Sequence, residues 1–335
     1  MNFALYRLPY DDTYTEIHSD RPAECLPSLC CIGKESGFVI APFDCSCKDT
    51  PIVRICPDKV EKKTVGEDEA LHRGGFVKSQ DVSVAYVDDF RRFHDAVESG
   101  RFGKLVLSRT KETVYDAISL RRLFIDACRR YPRLAVMLVS TPVTGTWLVA
   151  TPEKLLTGDG TWWKTMALAG TMPYVEGFQE WSRKNQQEQH FVETYIEKCI
   201  DVLGRDIIKD GPFTRRAGNL VHLCTDFRFH LAEGSVIGDV LTALHPTPAV
   251  CGLPKDEAFM FIKNNEHAPR LYYSGFMGPV GIDGKTDIYV SLRCARLDDG
   301  KATLYAGGGI MPESQAESEW EETENKMQTI GDVLK

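Results

Sequence analysis

The chain has 335 residues, 43% hydrophobic and 26% charged, with a formal net charge of −8. That composition supports a large core in one domain or two. No long basic run occurs, which argues against nucleic acid as a partner, and no window of about 18 apolar residues occurs, which argues against a membrane-spanning helix. The N-terminus, MNFALYRLPYDDTYTE, has no basic start followed by an apolar run, so a soluble cytoplasmic protein is expected.

Residues 1 to about 80 read as loop-rich and irregular, with scattered Pro, Cys and Asp. Six of the eleven cysteines fall here: Cys25, Cys30, Cys31, Cys45, Cys47 and Cys56. No pair has the two-residue gap of a zinc knuckle and no histidine joins them at ligand spacing, so reduced, mostly buried thiols are expected. The pattern then becomes regular. Tyr86, Phe90, Phe93 and Val97 repeat at helical spacing and predict a helix over 86–100. KLVLSRTKETV (104–114) alternates like a strand, and SLRRLFIDACRRYP (119–132) is an amphipathic helix stopped by Pro132. LAVMLVS, GTWLVATPEKLL and TWWKTMALAGT read as strands. Residues 179–204 predict a long helix ending at Gly204. NLVHLCTDFRFHLA, LYYSGFMGPVGI, DIYVSLRCARL and ATLYAGGGI read as strands with Gly-rich turns, and Glu317–Leu334 as the final helix. The class is α+β, with an extended antiparallel sheet and helices outside it.

Two features carry chemistry before any comparison. YAGGGI runs straight into a helix holding Glu317, Glu319, Glu321, Glu322 and Glu324. On that helix Trp320, Thr323, Met327, Ile330 and Leu334 form the apolar stripe, and Glu319, Glu322 and Lys326 form the stripe beside it. Glu321 and Glu324 are expected to be solvated. In the long helix Val192, Tyr195 and Cys199 form the expected inward stripe, with Glu188 one turn earlier. A carboxylate on a buried face needs a partner or a metal. Glu188 and Glu322 together are the pattern of a Mg²⁺ clamp, since Mg²⁺ takes one or two carboxylates and fills its other positions with water and ligand oxygens. The competing explanation for Glu322 is a solvated i,i+4 pair with Lys326.

KLVLSRT, ATPEKLL, LAGTMP, KNQQEQHFV, LHPTPAVCGLP, GFMGPVG, VSLRCARL and YAGGGI follow one another in this order. The series resembles the chorismate-utilising enzymes, which include isochorismate, salicylate, anthranilate and aminodeoxychorismate synthases. The resemblance covers residues 81–335, the expected chorismate-binding catalytic domain. The first 80 residues match weakly and look short, and are expected to complete the fold. The family's fold is an α/β sandwich of large antiparallel sheets with helices outside and the active site in a cleft.

The resemblance implies roles position by position. Lys104 is similar to the general base that activates water, and Glu153 to the general acid that protonates the departing 4-hydroxyl. On bare sequence Glu153 could equally be a helix N-terminal carboxylate after Pro152. The family's Mg²⁺ glutamates fall on Glu188 and Glu322, with Glu319 as a supporting carboxylate. Arg293 looks like the bidentate clamp on the enolpyruvyl carboxylate, with Tyr273 assisting. Gly307 and Gly309 would let the backbone approach that carboxylate; a strand-end bulge is the plainer reading of three glycines. Gly170 and Thr171 resemble contacts to the ring carboxylate. Lys326 follows Glu322 as in the family, His222 matches the active-site histidine, and Ala249 would pack on the substrate.

Among the family's members, aminodeoxychorismate synthases carry a nucleophilic lysine where this chain has Ala169. Anthranilate synthases lack a lysine at position 104 and need an ammonia source. The resemblance therefore implies Mg²⁺-dependent, reversible isomerisation of chorismate to isochorismate by a monomer. Menaquinone biosynthesis is the expected route, since nothing points to iron metabolism. Salicylate synthase and a siderophore-pathway isochorismate synthase remain the rivals.

Overall fold

The computed structural model describes residues 2–66, 76–115, 119–177 and 180–334. Six strands come first: β1 (Asn2–Arg7), β2 (Thr13–Ser19), β3 (Glu24–Leu26), β4 (Gly37–Ala41), β5 (Ile52–Ile55) and β6 (Lys59–Thr64). Then follow α1 (Val84–Glu98), β7 (Lys104–Val114), α2 (Leu120–Arg130), β8 (Ala135–Thr141), β9 (Gly145–Thr151), β10 (Lys154–Gly158), β11 (Trp163–Pro173) and α3 (Arg183–Leu203). The last stretch holds β12 (Gly204–Ala217), β13 (Leu220–Leu231), α4 (Ile237–Leu244), β14 (Gly252–Leu253), α5 (Lys255–Asn265), β15 (Phe276–Val280), β16 (Thr286–Val290), β17 (Cys294–Asp298), β18 (Lys301–Ile310) and α6 (Ala316–Leu334).

The strands form two nine-stranded sheets. The first runs β14-β7-β18-β17-β9-β8-β1-β2-β6 and the second β12-β13-β11-β10-β16-β15-β4-β5-β3. Every paired neighbour among the described residues is antiparallel. Between the sheets lies one core, with Tyr6, Phe38, Met137, Trp147, Met277 and Tyr289 interleaved. A second core fills the space between the first sheet and helices α2 and α6. A third lies between the second sheet and helices α3 and α4. Sheet packed on sheet with helices on both outer faces lets the central strands bury both their surfaces, which is why β8 reads as a continuous apolar run, while the edge strands β6 and β12 stay largely exposed.

The N-terminal reading needs correction. Six strands occupy the stretch taken as irregular, three added to the far edge of each sheet. The cysteines also differ from expectation: Cys25 and Cys30 are exposed and the other four of the early six half-buried, with all eleven free. They lie on short edge strands and the loops between them, where burial is incomplete. The long helix starts at Arg183; Gln179 lies outside the described residues. Its buried stripe is Gln189, Val192, Glu193, Ile196 and Ile200, and Tyr195 and Cys199 stand half-buried beside it. Two polar residues can face inward because Gln189 donates to Thr225 Oγ1 (2.8 Å) and to Glu193 (2.9 Å), and Lys209 pairs with Glu193 (2.6 Å). No helix among the described residues is long and apolar enough to cross a membrane.

Two of the places where the chain changes sheets lie next to each other. Pro152 and Glu153 carry it from β9 in the first sheet to β10 in the second, and Ser291–Arg293 carry it back from β16 to β17. The two crossings are hydrogen-bonded to each other, Val290 N–H to Glu153 O (3.0 Å) and Ala150 N–H to Arg293 O (3.2 Å). Backbone that leaves one ladder for another can present side chains to the gap between sheets, and the site is built there.

Candidate active site

A cavity sits beside these crossings, between β7 and β18 of one sheet and β11 and β13 of the other. Glu153 enters from the first crossing and is buried. No helix begins at Pro152, so the helix-terminus explanation of this glutamate falls away. Thr247 donates to its Oε1 at 3.4 Å. Burial pushes the carboxyl up to about 8, against the opposing pull of Lys104, Thr247, Lys326 and Arg293. At neutral pH it therefore carries a proton.

The LAGT stretch lies on β11 opposite His222 on β13. The register slips between Ala169 and Thr171, and Gly170 is the extra residue, at φ +70°. A bulge of this kind re-aims backbone groups. Here it brings the Gly170 carbonyl to His222 Nδ1 (3.0 Å), with Thr171 Oγ1 at 3.2 Å. The other ring nitrogen, Nε2, lies 2.5 Å from Arg293 Nη2. Arginine can only donate. Nε2 must therefore be the acceptor, and the proton sits on Nδ1 and is donated to Gly170. Burial and then Arg293 hold His222 well below its ordinary value, so the ring is neutral. It joins the Gly170–Thr171 bulge of β11 to Arg293.

Arg293 is buried, and burial lowers it to about 10. Its Nη1 donates to Ala217 O (3.1 Å). It stands at φ +47°, an uncommon conformation for a side chain other than glycine. No carboxylate among the described residues pairs with it. A buried guanidinium without a counter-ion is a ready partner for an anionic ligand.

The three glycines form the floor. They continue β18 in unbroken register with β7, Gly307 opposite Ser108 and Gly309 opposite Val106, so the bulge reading is set aside. A Cβ on Gly307 would meet the Tyr273 hydroxyl at 2.9 Å. One on Gly308 would meet Glu319 Oε2 at 2.7 Å, and one on Gly309 would collide with Glu188 and meet Lys104 Cε at 2.8 Å. Any side chain here would displace a functional group. Ala249 lines the same cavity.

Behind the floor stand three carboxylates, each with a lysine. Lys104, fully buried at the start of β7, pairs with Glu188 at 2.8 Å. Lys326 pairs with Glu322 at 2.7 Å and donates to Gly307 O at 2.8 Å. Lys184 pairs with Glu319 at 2.5 Å. Burial pushes Glu188 up, but Lys104, Lys326 and Lys184 outweigh it and hold the group below the ordinary range. Glu319 is raised, by burial and then by the Glu322 charge. The carboxylates are not drawn into a closed trio of ligand atoms, because each is held by its own lysine. The donor set still suits a hard cation: it is all oxygen, and Glu319 Oε2 is buried with no hydrogen-bond partner.

Eleven of the residues expected from the sequence line one cavity, while Lys104, Glu319 and Glu322 are not part of its lining and lie against the glycine floor. Glu324 departs from expectation. It is buried rather than solvated, paired with Arg109 (2.6 Å) and Lys111 (2.8 Å) of β7. Arg109 also lies over the Trp320 ring at 3.5 Å and donates to Thr323 Oγ1 at 2.6 Å, pinning α6 to the strand that begins with Lys104. Thr247, Ser314 and Lys184 were missed. Lys184 lies inside the KNQQEQHFV motif, so a signal for it was present.

Residues 59–335 match the family model described as chorismate binding enzyme. The chain is 31% identical over 249 residues to the salicylate biosynthesis isochorismate synthase of Pseudomonas aeruginosa, covering 71% of this chain and 52% of that one. It is 31% identical over 192 residues to the vibriobactin-specific isochorismate synthase of Vibrio cholerae, covering 54% of this chain and 49% of that one. The matched region thus spans about half the length of these relatives. The fold is similar to that of MenF, the menaquinone-specific isochorismate synthase from Escherichia coli, with a TM-score of 0.83 at 19% identity, over 100% of this chain and 89% of that one. The family match spans both crossings, the glycine floor and the carboxylate helix, and on it the chain belongs to the chorismate-binding enzymes.

Proposed function

We propose that this protein isomerises chorismate to isochorismate. One observation carries the reading: a buried amine, Lys104, lies against the Gly309 floor of the cavity that a buried carboxyl held protonated, Glu153, lines, with no lysine at position 169. The reaction adds water at C2 of the ring, shifts the double bonds and expels the C4 hydroxyl. Lys104, as the free amine, takes the proton from the incoming water, and the ammonium so formed is held by Glu188; Glu153 gives its proton to the departing hydroxyl, which leaves as water. One water enters and one leaves, so substrate and product are isomers and the reaction runs in both directions.

Arg293 holds the enolpyruvyl carboxylate, with Tyr273 and the bare backbone of Gly307 and Gly309 beside it. Gly170 and Thr171 face the ring carboxylate, and His222 fixes the distance between the two subsites. Ala249 packs on the ring. Glu188 and Glu322 are the residues that would hold Mg²⁺, with Glu319 supporting them. The bound cation would supply positive charge for orienting the ring carboxylate.

The test is to incubate the purified protein with chorismate and Mg²⁺, with an EDTA control, and to separate products by reversed-phase HPLC. Isochorismate that disappears with EDTA is the expected result. Salicylate plus pyruvate would move the chain to the rival synthase, and unreacted chorismate would overturn the reading.

Arg293→Lys gives a second check. An ammonium cannot reproduce the planar fork or reach His222 and Ala217 together. Charge-assisted hydrogen bonds contribute about 1.5–3 kcal/mol each, so KM for chorismate should rise on the order of tenfold or more. An unchanged KM would remove Arg293 from the carboxylate subsite.

A further inference from the structure

Three lysines share the wall behind the glycine floor, and two of them have parts in the proposed site. Lys184 has none, yet its position needs a reason. It follows Arg183 in the first turn of α3, where the helix dipole repels a cation. What offsets that repulsion is the carboxylate cluster. Burial pulls its ammonium down, and Glu319, Glu188 and Glu322 together more than restore it. Its Nζ meets Glu319 Oε1 at 2.5 Å, and Ser314 donates to the same oxygen at 2.7 Å. Oε1 is thereby committed to two donors. Oε2 is left buried and partnerless beside Gly308, facing the side on which Glu322 stands. A buried carboxylate oxygen without a donor is costly, and marks a place where a cation or a water it carries completes the arrangement.

We propose that Lys184 is a built-in counter-ion that sets how tightly the carboxylate cluster takes a divalent cation. It fixes Glu319 by one oxygen, leaves the other free, and weakens the attraction for a bare cation by its own charge. The inference rests on the reading of Glu188 and Glu322 as cation ligands. Glu188, Glu319 and Glu322 are each already met by a lysine, Lys104, Lys184 and Lys326, so the cluster offers a bare cation less attraction than three free carboxylates would. A divalent cation alone would add positive charge to a cavity wall that already holds buried Arg293. A substrate with two carboxylates offsets that charge. Lys184 thus keeps the cation weakly held until a substrate with two carboxylates is present, and makes the two bind in support of each other.

The experiment is isothermal titration of the full chain with MgCl₂ in the absence of substrate, with thermal unfolding of each protein as the check on folding. Lys184→Met keeps the aliphatic stem and removes the charge; Lys184→Arg keeps the charge. Lys184→Met should bind Mg²⁺ on the order of tenfold more tightly than wild type, and Lys184→Arg should match wild type. The sign is diagnostic, because losing a merely structural lysine would loosen the cluster and weaken binding. Equal or weaker Mg²⁺ binding by folded Lys184→Met overturns the proposal. Mg²⁺ uptake by neither protein also overturns it, and EDTA then tells which reading failed. Turnover that survives EDTA removes the cation site altogether, whereas turnover lost in EDTA leaves the site and removes only the role of Lys184.

Discussion

Lys104→Met is expected to abolish isochorismate formation. A positioned general base contributes about 10²–10⁴-fold, and no other lysine among the described residues is both fully buried and adjacent to the glycine floor. The substitution has a second consequence that can be read separately. Glu188 loses its nearest counter-ion, and a buried acceptor left without its partner costs about 1–3 kcal/mol. The unfolding temperature of Lys104→Met should therefore fall in EDTA and recover with Mg²⁺, which would give Glu188 a new partner. Rates by HPLC and unfolding with and without Mg²⁺ measure both effects. Turnover retained in the variant would remove Lys104 as the base. Turnover lost together with an unfolding temperature that Mg²⁺ does not restore would assign Lys104 to structure instead.

The parts of the site that could be read from sequence are those whose signal is local. The strand over 104–114, the glycine run and the final helix each declare themselves within a dozen residues, and the motif order supplied the roles. What stayed hidden depends on distant partners. Glu324 looked solvated because its own helix offers no reason to bury it; Arg109 and Lys111, more than 200 residues earlier, provide one. Glu193 and Gln189 break the apolar pattern of α3, and only Thr225 and Lys209 explain why they may face inward without penalty. The early strands are three to seven residues long, too short for alternation to stand out. They are also divided between two sheets, so their order in the chain does not reveal their pairing. β12 was missed because Gly211 and Pro212 interrupt it, and the register with β13 shifts there, between Asp210 and Phe213. The crossings at Glu153 and Arg293 have no sequence signature of their own, yet they place the proposed acid and the proposed clamp side by side.

Glu153 gives the other large effect, and it titrates. Its folded-state value lies near 8 against an ordinary 4.5, with burial as the main cause. A value raised in the folded state means that the folded protein holds the proton more tightly. The associated stability is full below about 4.5 and is lost as pH rises through about 8. On the proposed mechanism the same proton is delivered to the departing hydroxyl, so turnover should fall along an alkaline limb near pH 8. Lys104, Lys326 and Arg293 face this carboxyl and pull the limb downward, and Thr247 does so through its hydrogen bond. Glu153→Gln keeps the shape and the Thr247 contact but has no proton to give. Its turnover should drop by about 10²–10⁴-fold. Its stability should move the opposite way. At pH 8.5 the variant should be more stable than wild type by up to about 5 kcal/mol, since in wild type the unfolded chain's ionised carboxylate must be re-protonated or buried on folding. At pH 4.5 the difference should vanish, because the wild-type carboxyl is then protonated in the folded protein. Denaturant unfolding of both proteins across pH 4.5–9 measures the crossover. A stability difference that does not change with pH would show that Glu153 is already ionised at neutrality, and the acid would have to be sought elsewhere in the cavity.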